Sequence, residues 1–323
     1  MEWENQQVMF GNVAMLRGTL TIPITENGSL PAILLLGGSG KLNRDGNAIR
    51  GKFQFNIYRE LAEHLSERGF VTLRYDKRGV GQSEGIFETS GLWDAVNDAE
   101  QALEFLAGHP KVDPNRLIVL GHSEGCIVGT ALNEKRPVNG LIFLSGGGAG
   151  LEESLAYQRQ LLYEEMKKET GLKGFLIDKL KTVEKSEKKT QDLYAKLFST
   201  DKDLIRLYGF IKMPAKYFRE HFAYDMIQGL QKIACPVLAI DGTKDFHTSF
   251  EYLKRFPEHA SGSVTCVVID NMDHGLKEQL KPMSISNFKK DYIQNISKPI
   301  HPQLLHHLDT WLGEHSHLVK ETI

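Results

Sequence analysis

From residue 31 onward, short apolar runs alternate with longer segments whose apolar residues recur at helical spacing. Ala32–Leu36, Val71–Tyr75, Leu117–Leu120, Leu141–Leu144, Val237–Ile240 and Val264–Ile269 have the length and composition of strands. Several are apolar throughout, as in a parallel sheet whose two faces are both covered by helices. Between them, Ile57–Arg68, Leu92–Leu106 and Glu124–Lys135 show apolar spacing near 3.6 and are read as helices. The alternation predicts an α/β fold with a mostly parallel, doubly wound sheet. Before it, Ala14–Ile24 alternates well enough for an antiparallel strand, expected to pair with Val8–Val13 at the sheet edge.

The alternation stops between about Gly146 and Cys235, where the chain reads as helical and offers no strand candidates. Residues 151–200 carry nine acidic and ten basic side chains, so solvated amphipathic helices are expected there rather than a polyanion-binding arm. The predicted organisation is a core formed by 1–145 and 236–323, with 146–235 inserted as a helical cap. Such a cap would sit over the carboxyl ends of the strands, where open α/β sheets bind ligands. A peripheral helical hairpin is the alternative.

The whole chain has 323 residues, enough for a sizeable core, and nearly balanced charge, with 39 basic and 41 acidic residues. Nothing in that balance suggests nucleic acid as a partner. No apolar run approaches the roughly 20 residues of a membrane helix, and the first residues lack a signal-peptide layout. Cys126, Cys235 and Cys266 are odd in number and widely spaced, which points to a reduced, cytoplasmic protein without structural disulfides or zinc.

Candidate chemistry begins at Gly121-His122-Ser123-Glu124-Gly125, between the apolar run Arg116–Leu120 and the helical segment that follows. A tight strand-to-helix turn lifts the serine off the backbone, flanking glycines leave room for it, and the helix N-terminus offers free N–H groups to developing negative charge. The arrangement resembles the nucleophile elbow of the α/β-hydrolases. In that fold the order along the chain is Ser, acid, His, and a serine needs a base whose tautomer a third group fixes.

Asp245, a few residues past the strand in Cys235–Ile240, is favoured as the acid over Asp241, which ends the strand itself. His274 directly follows the last strand and is the expected base. His122 should point away into the structure, and His247, close to Asp245, is a weaker alternative. His301, His306, His307, His315 and His317 suggest a metal cluster at first sight. Pro302 and the apolar Leu304, Leu305, Leu308, Trp311 and Leu312 instead describe an amphipathic C-terminal helix, and no metal is expected.

An oxyanion hole is the remaining requirement. One donor is expected at the backbone N–H of Glu124 and the other at Ser39, in the loop Gly37-Gly38-Ser39-Gly40. Neither a dinucleotide fingerprint nor a P-loop can be read in that loop. Asp76, Lys77 and Arg78 are read as structural, with charges pairing locally. The Glu124 side chain could bind a substrate amine, but its backbone N–H is taken as the functional part.

With these pieces in order, the chain resembles the bacterial esterases and acyl hydrolases of the α/β-hydrolase superfamily that carry a helical cap. Gly37–Gly40 with Asn43–Asn47, Arg74–Ser83, Gly121–Gly125, the Asp245/His274 pair, and Phe222–Asp225 before Cys235-Pro236 carry the likeness. It departs from that branch in having Gly37-Gly38 where His-Gly is common, and Cys126 where glycine often follows the elbow.

The resemblance implies an α/β-hydrolase fold and a serine esterase that needs no cofactor, cleaving small or medium acyl esters through an acyl-enzyme. Substrate contacts are expected from Gly38, Phe198, Tyr208 and Phe218, within a wider set of aromatics (Tyr163, Phe175, Phe210, Tyr217 and Phe222) that could line an acyl pocket. The expected partner is a small-molecule ester, with no nucleic acid or membrane, and a homodimer is left open. A peptidase or amidase on the same fold, and a non-catalytic small-molecule receptor, are the rival readings.

Overall fold

The structure is a computed structural model and describes all residues except 26–27, 52, 172–178, 180, 283 and 316–323. An eight-stranded sheet runs in the order β1-β2-β4-β3-β5-β6-β9-β10. The strands are β1 (Trp3–Phe10), β2 (Leu16–Pro23), β3 (Leu30–Leu36), β4 (Val71–Tyr75), β5 (Val112–His122), β6 (Gly140–Leu144), β9 (Val237–Gly242) and β10 (Val264–Ile269). From β4 to β10 all neighbours are parallel, whereas β2 pairs antiparallel with both β1 and β4. The expected N-terminal hairpin is present, but its first strand begins at Trp3, and Gly11–Met15 form the turn.

Side chains of the central strands alternate between two buried faces. Leu34, Leu36, Val119, Phe143 and Ala239 face α2 (Leu92–Ala107) and α3 (Glu124–Lys135). Ile33, Leu35, Leu120, Leu144 and Ile240 face α1 (Ile57–Glu67) and the C-terminal helix α10 (Pro302–Glu314). Double coverage is why β3, β6 and β9 are apolar at nearly every position. In α10, Leu304, Leu308, Trp311 and Leu312 are buried, and His301 caps the helix by accepting from Gln303 N–H. His317 lies outside the described residues. Among those described, no group of three or more His, Cys, Asp or Glu is placed to hold a metal ion, and no helix is long and apolar enough to cross a membrane.

The segment after β6 carries α4 (Leu151–Lys167), α5 (Thr182–Phe198), α6 (Ala215–Ala223) and α7 (Met226–Gln231). Two features differ from the sequence reading. A short antiparallel ribbon, β7 (Ile205–Leu207) with β8 (Ile211–Met213), interrupts the helices. Its strands have three residues each and turn through Tyr208-Gly209, both at positive φ, too short a pattern to stand out in sequence. In addition, Met226, Leu230 and Ile233 are buried in the main core against α3. The expected insert, 146–235, therefore ends in a helix that is built into the core.

Candidate active site

Six parallel strands end on one edge, and the loops leaving five of them carry the candidate groups. The turn after β5 holds Ser123 at φ 56°, ψ −121°, a backbone conformation few non-glycine residues adopt. The packing leaves no room for larger neighbours: a Cβ on Gly125 would stand 2.1 Å from the carbonyl oxygen of Leu36. The strain is held by Ser123 N–H donating to Leu144 O at 3.0 Å and Cys126 N–H donating to Ser123 O at 2.9 Å.

Ser123 Oγ lies 2.9 Å from His274 Nε2, and His274 Nδ1 lies 2.7 Å from Asp245 Oδ2. The other oxygen, Asp245 Oδ1, accepts the N–H groups of His247 (2.7 Å) and Thr248 (3.3 Å). Burial lowers the His274 imidazole to about 3, so the ring is neutral near pH 7. Burial raises Asp245 to about 6, against the pull of His247 and of the two N–H donors, which leaves it ionised at neutral pH. Asp241 is turned elsewhere: it is buried and accepts from Gly146 N–H at 3.1 Å. His247 does not reach Ser123 but packs at a tilt against His274, with ring centroids 4.2 Å apart.

His122 points inward, as its place in the elbow predicts. Its Nε2 lies 2.9 Å from His274 O, a carbonyl that can only accept, so Nε2 carries the proton. Burial and the neighbouring His274 lower the ring to about 3, leaving Nδ1 a bare acceptor. The Tyr58 hydroxyl, 2.8 Å away, therefore donates to Nδ1 while accepting Gly38 N–H at 2.6 Å. Tyr58 gave no sequence signal beyond its place on the apolar face of α1.

Gly38 packs directly on the serine: a Cβ there would stand 3.1 Å from Ser123 Cβ. With Gly38 N–H committed to Tyr58, the next free donor in the loop is Ser39 N–H, which has no hydrogen bond among the described residues. The Glu124 N–H opens α3 and likewise has no intrahelical acceptor.

The Glu124 carboxylate faces two basic side chains. Its Oε2 accepts from Lys77 Nζ at 2.6 Å, and Oε1 lies 3.3 Å from His221 Nε2 of α6. Burial alone would raise this carboxyl, but Lys77 and His221 outweigh it and hold the group well below the usual range. Of the Asp76–Arg78 run, Asp76 binds Arg44 and Arg78 binds Asp94 and Asp98, as local pairing predicts. Lys77 departs from that reading, because it reaches the site.

A cavity of about 370 Å³ opens beside the Gly37–Gly40 loop and Glu124, with mostly apolar walls. Phe87, Ala95, Val128, Met213, Tyr217 and Phe218 are among its lining residues. Of the residues expected to contact substrate, Gly38 and Phe218 border it and Phe198 and Tyr208 do not. Phe198 packs on Tyr194 and Phe222, and Tyr208 is 82 % exposed in the β7–β8 turn. Helical spacing cannot tell an aromatic that plugs neighbouring helices from one that faces a cavity. Phe210 is likewise exposed, Tyr163 reaches Glu187, and Phe175 lies outside the described residues.

Residues 53–279 match the hydrolase family described as serine aminopeptidase, S33. Esterase EstD of Thermotoga maritima is 26% identical over 261 residues, which cover 80% of this chain and 57% of that protein. An uncharacterized Mycobacterium tuberculosis protein is 34% identical over 131 residues, covering 41% of each chain. The chain thus spans less than two thirds of the length of either relative. Among solved structures, an esterase of Pyrococcus furiosus superposes with a TM-score of 0.58 at 16% identity, covering 97% of this chain and 91% of that one. Est1E from Butyrivibrio proteoclasticus, solved with ferulic acid bound, gives 0.57 at 17% identity, covering 89% and 97%. At these identities the superpositions establish the α/β-hydrolase fold.

Proposed function

From the chain's membership of the serine aminopeptidase S33 family of hydrolases, we propose that it is a serine esterase that cleaves small to medium, apolar acyl esters through Ser123. The continuous contact Ser123–His274–Asp245 is the observation that carries this reading. His274 takes the Ser123 proton as Oγ attacks the carbonyl, and Asp245 stabilises the imidazolium that forms. The N–H groups of Glu124 and Ser39 receive the oxyanion. His274 then protonates the leaving alcohol, and the same groups direct water at the acyl-enzyme.

His274 must face the leaving oxygen, so the cavity on the oxyanion-loop side is assigned to the acyl chain. The inserted segment then acts as a cap, since its Met213, Tyr217 and Phe218 line that cavity. Similarity to the esterase EstD supports ester over amide.

The family's description keeps a peptidase reading in play. An aminopeptidase needs a free carboxylate for the substrate ammonium, and both acids lining the cavity are already paired, Glu124 with Lys77 and Asp98 with Arg78. Three free cysteines support a reducing, cytoplasmic setting.

Turnover of p-nitrophenyl acetate and butyrate by wild type and Ser123→Ala tests the assignment. Loss of at least about 10³-fold is expected, and equal rates would refute it. A fluorophosphonate probe should label Ser123; a folded protein that resists labelling would be a receptor. Faster cleavage of aminoacyl p-nitroanilides than of esters would favour the peptidase.

A further inference from the structure

Lys77 lies just past β4, outside the Ser123–His274–Asp245 chain, yet its ammonium touches both halves of the candidate oxyanion hole. Nζ donates to Gly38 O at 2.5 Å and to Glu124 Oε2 at 2.6 Å. The side chain is largely sheltered, at 23% exposure against 9% for Glu124, so neither contact is a solvated surface pair.

The first contact fixes a peptide plane. No peptide bond in the described residues is cis, so Gly38 C=O and Ser39 N–H point in opposite directions. With the carbonyl held by Lys77, the Ser39 N–H is turned away from the ammonium. The preceding peptide is pinned separately by Gly38 N–H donating to the Tyr58 hydroxyl. The loop is thus gripped on two successive peptides, and Ser39 N–H is the group left over. The second contact ties the same ammonium to Glu124, whose own N–H is the other donor. Glu124 Oε1 also lies 3.3 Å from His221 Nε2 of α6, so the inserted helices border this junction.

A buried ion pair is weak evidence of stabilisation, since desolvation consumes much of the Coulombic gain. A role in geometry accounts better for its place. A donor in an oxyanion hole contributes in proportion to how little it must reorganise as charge develops.

We propose that Lys77 is a positioning residue for ester cleavage, holding the Ser39 and Glu124 N–H groups in register as a preset oxyanion hole by gripping Gly38 O and the Glu124 carboxylate together. The proposal rests on the serine-esterase reading. It predicts an effect on the transition state and not on ground-state binding.

The test compares wild type, Lys77→Met and the paired variant Lys77→Met/Glu124→Gln, which removes both buried charges at once. kcat and KM for p-nitrophenyl butyrate, Tm, and affinity for butylboronic acid as a tetrahedral adduct are measured, with Ser123→Ala as control. The paired variant is expected to melt within about 5 °C of wild type, keep KM within about threefold, and lose about 10- to 100-fold in kcat, with boronate affinity falling in parallel. Lys77→Arg should recover part of that loss, because a guanidinium can still donate to both oxygens. The proposal is overturned if the paired variant retains wild-type kcat. It is equally overturned if kcat falls only alongside a collapsed Tm and a raised KM. Undiminished turnover by Ser123→Ala would instead remove the serine reading beneath it.

Discussion

The Tyr58 hydroxyl stands 2.8 Å from His122 Nδ1 and joins two loops that lie far apart in sequence. Upstream it accepts Gly38 N–H; downstream His122 Nε2–H donates to the carbonyl of His274. All three groups are buried, so the chain of donors runs in one direction without water. Tyr58→Phe leaves a buried N–H and a buried ring nitrogen unpaired, at about 1–3 kcal/mol each. A lower Tm is expected, with kcat on p-nitrophenyl butyrate down about tenfold as Gly38 loosens. A variant matching wild type in both measurements would show that the relay holds nothing.

The resting site needs His274 neutral and Asp245 charged. Burial lowers the ring to about 3 and raises the carboxyl to about 6, so the carboxylate sets the acidic limit. As pH falls through about 6, Asp245 takes up a proton and can no longer stabilise an imidazolium. Ester kcat/KM should therefore rise with pH through an apparent pKa near 6 that belongs to the pair. A profile flat down to pH 5 would contradict this.

His247 carries a stability signature. Burial and the neighbouring His274 lower its ring to about 3, whereas in the unfolded chain it titrates near 6.5. A depressed folded-state pKa means that the unfolded state binds the extra proton between those values. The contribution is complete above pH 6.5 and is lost as pH falls toward 3. His247→Gln should lose less stability than wild type between pH 7 and 4.5, by about 2–3 kcal/mol in urea melts at the two pH values. Parallel losses would place the ring in water.

Ala95 on α2 lines the cavity next to the oxyanion loop. Ala95→Leu fills part of the 370 Å³ with three more carbons. kcat/KM for p-nitrophenyl octanoate should fall about tenfold relative to acetate, since a few methylenes of pocket space correspond to about 1–3 kcal/mol. An unchanged ratio would move the acyl chain elsewhere.

The sequence by itself determined the sheet, because strands buried on both faces must be apolar at nearly every position, and β3, β6 and β9 announce themselves that way. It determined the elbow too, since only glycine fits where Gly125 meets the Leu36 carbonyl. Asp245 and His274 were legible because the fold fixes which loop follows which strand. Tertiary structure alone decided what those loops share. The separations of 39 positions from Gly38 to Lys77, and of 97 from Glu124 to His221, are closed by contacts that depend on direction and distance, not on pattern. A lysine in a polar turn looks the same whether it pairs with a neighbour or grips a peptide across the sheet edge. An aromatic on an amphipathic helix looks the same whether it lines the cavity, like Phe218, or packs between helices, like Phe198. Periodicity records which side of an element is buried, and only the packed chain decides against what.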